Sequence, residues 1–529
     1  MAKTLVMDAM IRRADFWQKG AEHDRATSAS ARPATSITFE NLKSDSAFVL
    51  SLRKPDFQRE TNQWSATQAV TFVQSFLDGD LVPSVILWQS DEGYIFAIDG
   101  AHRLSALRAW IEDDYGDGAI SISFFAGEIP EEQKKVAKAM RVAVERQVGS
   151  YKSLMAKLAA RAANPDIDYD PITNKRLKHL GSRQLDLQWV TGDAEVAEAS
   201  FFKINTQGTP LDKTEEELLR NRNRATAIAA RSIVRAATGH KYWSKFNPEN
   251  RAKIESLASD ANQLIFQPEL SIPIRTLSLP LGGSASTLEA LSLLIRLLSI
   301  ADGTLAQRKP AVAYGVNDDD GSLTIQTLKN CITVLNRISG NDKASLGLHP
   351  AVYFYSDRGK YLPDLFLGMV FLLKGKLLNN DSGFFKKFTD RRGEIEKFLI
   401  DNKPLISQVL QQINSRVRTE RVADIIDYLV KNPSGEISIE GVASAARLKG
   451  SIVDLRERVE GKSFSDTSKS IIVIRTSLQS AIKCPICGGL LEPALSHSFD
   501  HVARKRDGGA GAPDNGQLTH PYCNTGYKN

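Results

Sequence analysis

"CPICGGLLEPALSHSFDHVARKRDGGAGAPDNGQLTHPYCNTGYKN", residues 484–529, gathers three of the chain's four cysteines and three of its eight histidines. Cys484-x-x-Cys487 and His520-x-x-Cys523 make two knuckles, four soft or borderline ligands in the number and spacing of a tetrahedral structural zinc site. His497 is the competing histidine. It precedes Asp500 in a strand-like run, a place that suits a surface or substrate-facing side chain better than a fourth ligand. The segment is rich in Gly and Pro and poor in apolar residues. Zinc is therefore expected to supply most of its folding free energy, roughly 10 kcal/mol or more. Between the knuckles lie Asp500-His501, a basic Gly-rich loop and Asn515, and Asn524 follows Cys523 directly. A bare zinc ribbon that only binds nucleic acid gives no reason for Asp-His and Asn at these positions.

The rest of the chain sets the bounds. At 529 residues it exceeds one core, which argues for about two to four domains. Its 42% hydrophobic and 25% charged residues are those of a soluble globular protein. No run of about 18 or more apolar residues occurs, so no membrane span is expected. MAKTLVMDAMIRRADF carries charges inside its first apolar stretch, unlike a secretory signal. A cytoplasmic protein is expected, and in that reducing compartment C-x-x-C indicates metal or redox chemistry rather than a disulfide framework. The net charge of +6 is compatible with a nucleic-acid partner without requiring one. Two basic clusters stand out. Arg504-Lys505-Arg506 lies within the cysteine–histidine segment. Arg220, Arg222, Arg224, Arg231 and Arg235 fall on what reads as one helix, either a nucleic-acid contact or a solvated face.

The organisation is α+β and multidomain. Residues 1–36 form a polar N-terminal extension, and the Ser/Ala/Thr-rich stretch to residue 40 is expected to be loosely ordered. In 37–223 strand and helix signals mix: VPSVILW (82–88) and YIFAID (94–99) read as short buried strands around a turn at Asp91-Glu92-Gly93. SATQAVTFVQSFLDG reads as a helix capped by Ser65 and ended by Gly79. Residues 224–470 read as a helical middle, with TLEALSLLIRLLSIADG and LPDLFLGMVFLLKGKLL as buried helices and GEIEKFLIDNKPLISQVLQQINSRV continuing the pattern. Cys331 reads as a small buried hydrophobe. An amphipathic SKSIIVIRTSLQSAI leads into the final domain, 471–529.

In their order, the Cys pair, Asp500-His501, the Gly-Gly loop, Asp514-Asn515, His520-x-x-Cys523-Asn524 and Lys528 resemble the HNH endonucleases, whose ββα-metal module binds one catalytic cation. The third family letter, usually a metal-binding His, is Asn524 here, giving the His-Asn-Asn variant that the family also uses. The residue types suit phosphodiester hydrolysis. Histidine is the side chain whose ordinary ionisation lies near neutrality, so His501 can act as general base. Asp500 and Asn524 offer hard oxygen ligands for Mg²⁺ or Mn²⁺. Asn515 resembles the family residue that braces the loop and orients His501. Arg504, Lys505, Arg506 and Lys528 would hold the DNA backbone without reading sequence.

A second resemblance rests on three separated motifs within 37–223. FAIDGAHRLSALRAWI puts Asp99-Gly100 at a strand end and His102-Arg103 at a helix start, a junction that aims backbone N–H groups at an anion. LRKPDFQRETNQW supplies Gln58-Arg59 before a helix. FFKINTQGTPLDKTEEELL supplies Asn205-Thr206-Gln207-Gly208 in a turn ahead of a helix capped by Thr214. Together these resemble the DGQHR-type domain, a relative of the ParB and sulfiredoxin fold found at the N-terminus of GmrSD-like modification-dependent restriction enzymes. Ala101 stands where that motif has Gln. The resemblance implies nucleotide binding, with hydrolysis that gates or fuels a linked nuclease. Gln58, Arg59, Asp99, Gly100, His102 and Arg103 would meet the phosphates; Asn205 and Gln207 would approach the nucleotide or the catalytic water. No G-x-x-x-x-G-K-[ST] motif is present, so an NTP site must be of this other kind.

The resulting expectation is a metal-dependent DNA endonuclease of prokaryotic restriction or anti-phage defence. It would carry structural Zn²⁺ and catalytic Mg²⁺ or Mn²⁺, bind a nucleoside triphosphate, act on DNA, modified phage DNA included, and form any oligomer with copies of itself. The alternatives are a non-catalytic nucleotide-sensing DNA-binding regulator and an RNA-cleaving toxin nuclease.

Overall fold

The computed structural model describes residues 5–14, 16, 33–55, 64–124, 127, 129, 131–207, 213–237, 241–284, 287–303, 316–432, 437–448 and 463–528. The chain divides into two compact units, Met1–Arg220 and Asn221–Asn529.

The first unit is built on a six-stranded mixed sheet. Its strands are β1 (Arg13–Ala14), β2 (Ser36–Ile37), β3 (Leu52–Pro55), β4 (Val85–Gln89), β5 (Ile95–Asp99) and β6 (Leu185–Val190), in the order β1-β3-β5-β4-β6-β2. β4 and β5 are antiparallel, while β3 runs parallel to β5 and β6 parallel to β4. The runs VILW and IFAI are apolar throughout because both faces of the sheet are covered. Val85, Leu87 and Ala97 enter the larger core with Val73, Leu104 and Trp110. Trp88, Phe96 and Ile98 point the other way, against Ala197 and Phe201 of the helix Ala194–Gln207. The helix Ala66–Asp78 starts with a capping box, Ser65 accepting from Gln68 N while the Gln68 side chain returns to Ser65 N, and ends at Gly79 with φ 83°.

Several expectations change here. The N-terminal segment is not loose where it is described: Leu5, Met7, Met10 and Ile11 are buried in the core, and β1 and β2 complete the sheet. Asn205 and Gln207 do not sit in a turn. They close the helix Ala194–Gln207, whose apolar positions Ala197, Phe201 and Ile204 recur at helical spacing and carry the pattern to its end. Their side chains lie outside the described residues, as do Gln58, Arg59 and Gly208. Thr214 lies inside the helix Lys213–Arg220 and does not precede it.

The second unit is helical with a small β-ribbon. Thr287–Ala301 and Pro363–Leu378 are its most apolar helices, and residues on both are fully buried. The run GEIEKFLIDNKPLISQVLQQ breaks in two, Ser382–Asp401 and Lys403–Gln412, because Pro404 is favourable only in a first turn. The arginine cluster does not share one helix. Arg220 ends Lys213–Arg220, Arg224 N-caps Ala225–Val234, Arg235 C-caps it, and Arg231 is buried over the Tyr242 ring at 4.1 Å. The helix Asp466–Ser480 leads to the ribbon, β7 (Ser498–His501) antiparallel to β8 (Gly516–Thr519), followed by Cys523–Tyr527. Among the described residues no helix is long and apolar enough to cross a membrane.

Candidate metal centre and nuclease site

The first knuckle is a tight turn in which Cys484 N donates to Gly489 O and Gly488 N to Cys484 O, each at 2.8 Å. The second follows β8 directly. Together they bring Cys484, Cys487, His520 and Cys523 so close that one ligand atom from each lies within 4.8 Å of all the others. His520 uses Nε2 to donate to Leu490 O at 3.0 Å, which leaves Nδ1 facing the cluster, 3.4 Å from Cys487 Sγ and 3.8 Å from Cys523 Sγ. Fixing one imidazole nitrogen on a carbonyl is how metal-ligating histidines are oriented. Burial lowers the His520 pKa and keeps the ring neutral. Hydrogen bonds from Cys487 and Cys523 hold the Cys484 thiol far below its usual range, and Cys487, donating to Cys484, is pushed up to about 11. Three sulfurs and one nitrogen, buried and convergent, suit zinc. His497 stands apart, its Nδ1 2.7 Å from Pro493 O, just ahead of β7. Cys331 is buried in the helix Ser322–Ile338, its thiol pKa raised by burial.

The helix Ser382–Asp401 lies directly beneath this cluster. Glu396 accepts from Arg392 Nε at 2.7 Å, Tyr353 OH at 3.0 Å and Leu490 N at 2.6 Å, and both charged side chains are only 2% exposed. Arg392 also donates to Leu346 O and, at 2.8 Å, to Gly347 O. Burial opposes the Arg392 charge and the Glu396 carboxylate overcomes it, so the guanidinium pKa stands above its ordinary value. Gly393 N meets Cys487 O at 3.1 Å. Gly347 has φ 56°, and a Cβ there would come within 2.9 Å of His520 Cδ2, so only glycine allows the loop to approach the knuckle.

The ribbon carries the remaining tail motifs. Asp500 pairs with Gln517 and His501 with Gly516. Asp500 is buried, and among the described residues its carboxylate receives Gln517 Nε2 at 2.8 Å and Lys528 Nζ at 2.7 Å, both on Oδ2. Lys528 also donates to His501 O at 2.7 Å. His501 is half-buried at the strand end. Asn515 clamps the loop that follows, accepting from Ala503 N at 2.7 Å and donating to Ala503 O at 3.1 Å and Ala510 O at 2.8 Å. Asn524 donates Nδ2 to Ser498 Oγ at 2.9 Å and Phe499 O at 3.2 Å, which ties it to β7. Lys505 and Arg506 are exposed, and Arg504 ties the loop to Lys528 O at 3.2 Å.

At the N-terminal motif, Gly100 has φ 89° and N-caps the helix Ala101–Glu112. A Cβ on it would fall 2.8 Å from Val85 and 2.9 Å from Arg103. Arg103 donates to Asp99 Oδ2 at 2.6 Å and Ser84 O at 3.0 Å, and His102 stacks on Trp64 at 5.7 Å between ring centres. Asp99, His102 and Arg103 thus gather at one strand–helix junction.

Sequence reading missed Tyr353, Arg392, Glu396 and Gln517. Arg392 and Glu396 sit at i and i+4 of an amphipathic helix, a spacing that announces a pair but not its burial. Gln517 was recoverable from period-2 pairing opposite Asp500.

Two family models match the chain: the N-terminal domain of the GmrSD restriction endonuclease over residues 39–223, and HNH endonuclease over residues 484–529. No curated protein and no solved structure matches it. A GmrSD-type N-terminal domain ahead of an HNH endonuclease domain is a GmrSD-like architecture, that of a restriction-type nuclease.

Proposed function

We propose that this protein is a metal-dependent DNA endonuclease whose cutting is coupled to a nucleotide held by a ParB/sulfiredoxin-like N-terminal domain. The observation that supports the nuclease reading is the ribbon: Asp500 and His501 are consecutive residues of β7, Asn524 hydrogen-bonds to Ser498 and Phe499 of the same strand, and the Cys3His cluster adjoins it. The donor set fits its metals. Three thiols and an imidazole would hold Zn²⁺, which cross-links the two knuckles, and the oxygens of Asp500 and Asn524 would hold Mg²⁺ or Mn²⁺. That hard cation, when bound, supplies charge neutralisation at the phosphate and leaving oxygen. His501 takes the proton from the attacking water, a role worth about 10²–10⁴-fold in rate. Asn515 fixes the loop after His501, and Arg504, Lys505 and Arg506 hold the backbone of the DNA.

The coupling rests on the other junction. A helix N-terminus with Arg103 and His102 beside it is built to meet phosphate, and the Asp99–Arg103 ion pair gives the phosphate a bond to displace. The tail itself offers too small a surface to read much sequence, so selection of modified DNA is assigned to the rest of the chain. The test is plasmid cleavage with Mg²⁺, Mn²⁺ or chelator, on modified and unmodified DNA, with and without each nucleoside triphosphate. Cleavage that needs the divalent cation and changes with a nucleotide supports the proposal. Cleavage of RNA alone, or DNA binding without cleavage in every condition, overturns it.

A further inference from the structure

Asp500 is held in an uneven way. Oδ2 receives two donors, the Gln517 amide and the Lys528 ammonium, while among the described residues Oδ1 accepts no hydrogen bond. The residue is 6% exposed, so its carboxylate has little freedom to rotate. Gln517 sits directly across the ribbon from Asp500, on a backbone fixed by the β7–β8 register. Lys528 reaches the same oxygen from beyond the last helix and is bound at the same time to His501 O, at 2.7 Å. One neutral donor and one cation therefore press on a single oxygen of the residue proposed to hold the divalent cation.

We propose that Gln517 and Lys528 are positioning residues with opposed effects. Both turn Asp500 so that it offers Oδ1 alone, as a one-oxygen ligand. Lys528 in addition places a positive charge beside the cation site and keeps its affinity low until a phosphate arrives to draw the ammonium away. This rests on the reading of Asp500 as a cation ligand. The physics separates the two residues. Deleting the Gln517 bond removes orientation and nothing else, and loss of an outer partner of a ligand weakens metal binding by about 10–100-fold. Deleting the Lys528 charge removes orientation too, but it also removes a like charge only one carboxylate away from the cation. Through a partly buried site that repulsion outweighs one lost bond.

The experiment is Mn²⁺ binding to the full-length, zinc-loaded protein, followed by calorimetry and by the loss of the free-Mn²⁺ paramagnetic resonance signal, with no DNA present. Gln517→Leu is expected to bind Mn²⁺ about tenfold more weakly than wild type. Lys528→Met is expected to bind it more tightly, by about tenfold, and Lys528→Arg, which keeps the charge, to stay near wild type. Opposite signs from two residues that touch the same oxygen are not produced by a merely structural role. If Lys528→Met weakens binding as Gln517→Leu does, or leaves it unchanged, the proposal fails while Asp500 remains a ligand. If wild type and Asp500→Asn bind Mn²⁺ equally, the failure belongs to the cation site itself.

Discussion

Glu396→Gln should destabilise the second unit and loosen its metal centre together. The substitution changes one atom and opens no cavity, so its cost is electrostatic. In the wild type, Glu396 neutralises Arg392 at 2.7 Å with both side chains 2% exposed, and it accepts from Tyr353 and from Leu490 N. The amide leaves the Arg392 charge buried without its counter-ion and turns one of its two acceptor positions into a donor. Removing one partner of a buried pair costs about 3–5 kcal/mol. At about 2–4 °C per kcal/mol for a unit of this size, the transition should fall by roughly 10 °C in scanning calorimetry. The same step should speed zinc release to a colorimetric chelator, because Leu490 joins Glu396 to the imidazole: its N–H binds the carboxylate and its C=O binds His520. A transition within about 2 °C of wild type, with unchanged zinc release, would show that this pair does not support the knuckle.

Cys484→Ser should lower the zinc content from about one per chain to near zero, read by metal analysis, because the site needs all four ligands. His349 is buried with neither ring nitrogen hydrogen-bonded among the described residues, and burial lowers its pKa to about 4. The unfolded state therefore binds the proton first, between about pH 6.5 and 4, and stability is lost as pH falls through that window, by about 3 kcal/mol in all. His349→Gln should flatten this slope in denaturant titrations at pH 6.5, 5.5 and 4.5, and an unchanged slope would exclude the residue. Arg103→Ala should weaken nucleotide binding by the full-length chain in calorimetry. It should also shift the nucleotide effect on plasmid cleavage, about 5- to 150-fold for coupling of ordinary strength; unchanged affinity would return the Asp99–Arg103 junction to a structural role.

What the sequence made legible follows how local the physics is. The strands at 85–89 and 95–99 and the helix 66–78 carry their own signals: apolar runs, a Ser–Gln capping box, a terminal glycine. The tail was legible because metal ligands and nuclease residues recur at short spacing. The arginine run, read as one helix offering either a nucleic-acid contact or a solvated face, was misread because burial is a tertiary property, and Arg231 is buried against the Tyr242 ring. The Arg392–Glu396 pair was invisible for the same reason, since its partners Tyr353 and Leu490 lie 43 and 94 residues from Glu396. Leu5–Ile11 was misjudged because a polar surrounding sequence hid an apolar segment that enters the core. At Asn205–Gln207, turn-forming residue types were outweighed by the helical run before them.

The nuclease reading is tested most directly by His501→Ala. Wild type and variant, both zinc-loaded, are compared for Mg²⁺- or Mn²⁺-dependent plasmid nicking and for DNA binding. Loss of nicking by about 10²-fold or more, with zinc content and DNA affinity retained, is the expected result, because the substitution removes the base and leaves every structural ligand in place. Nicking at the wild-type rate would contradict it.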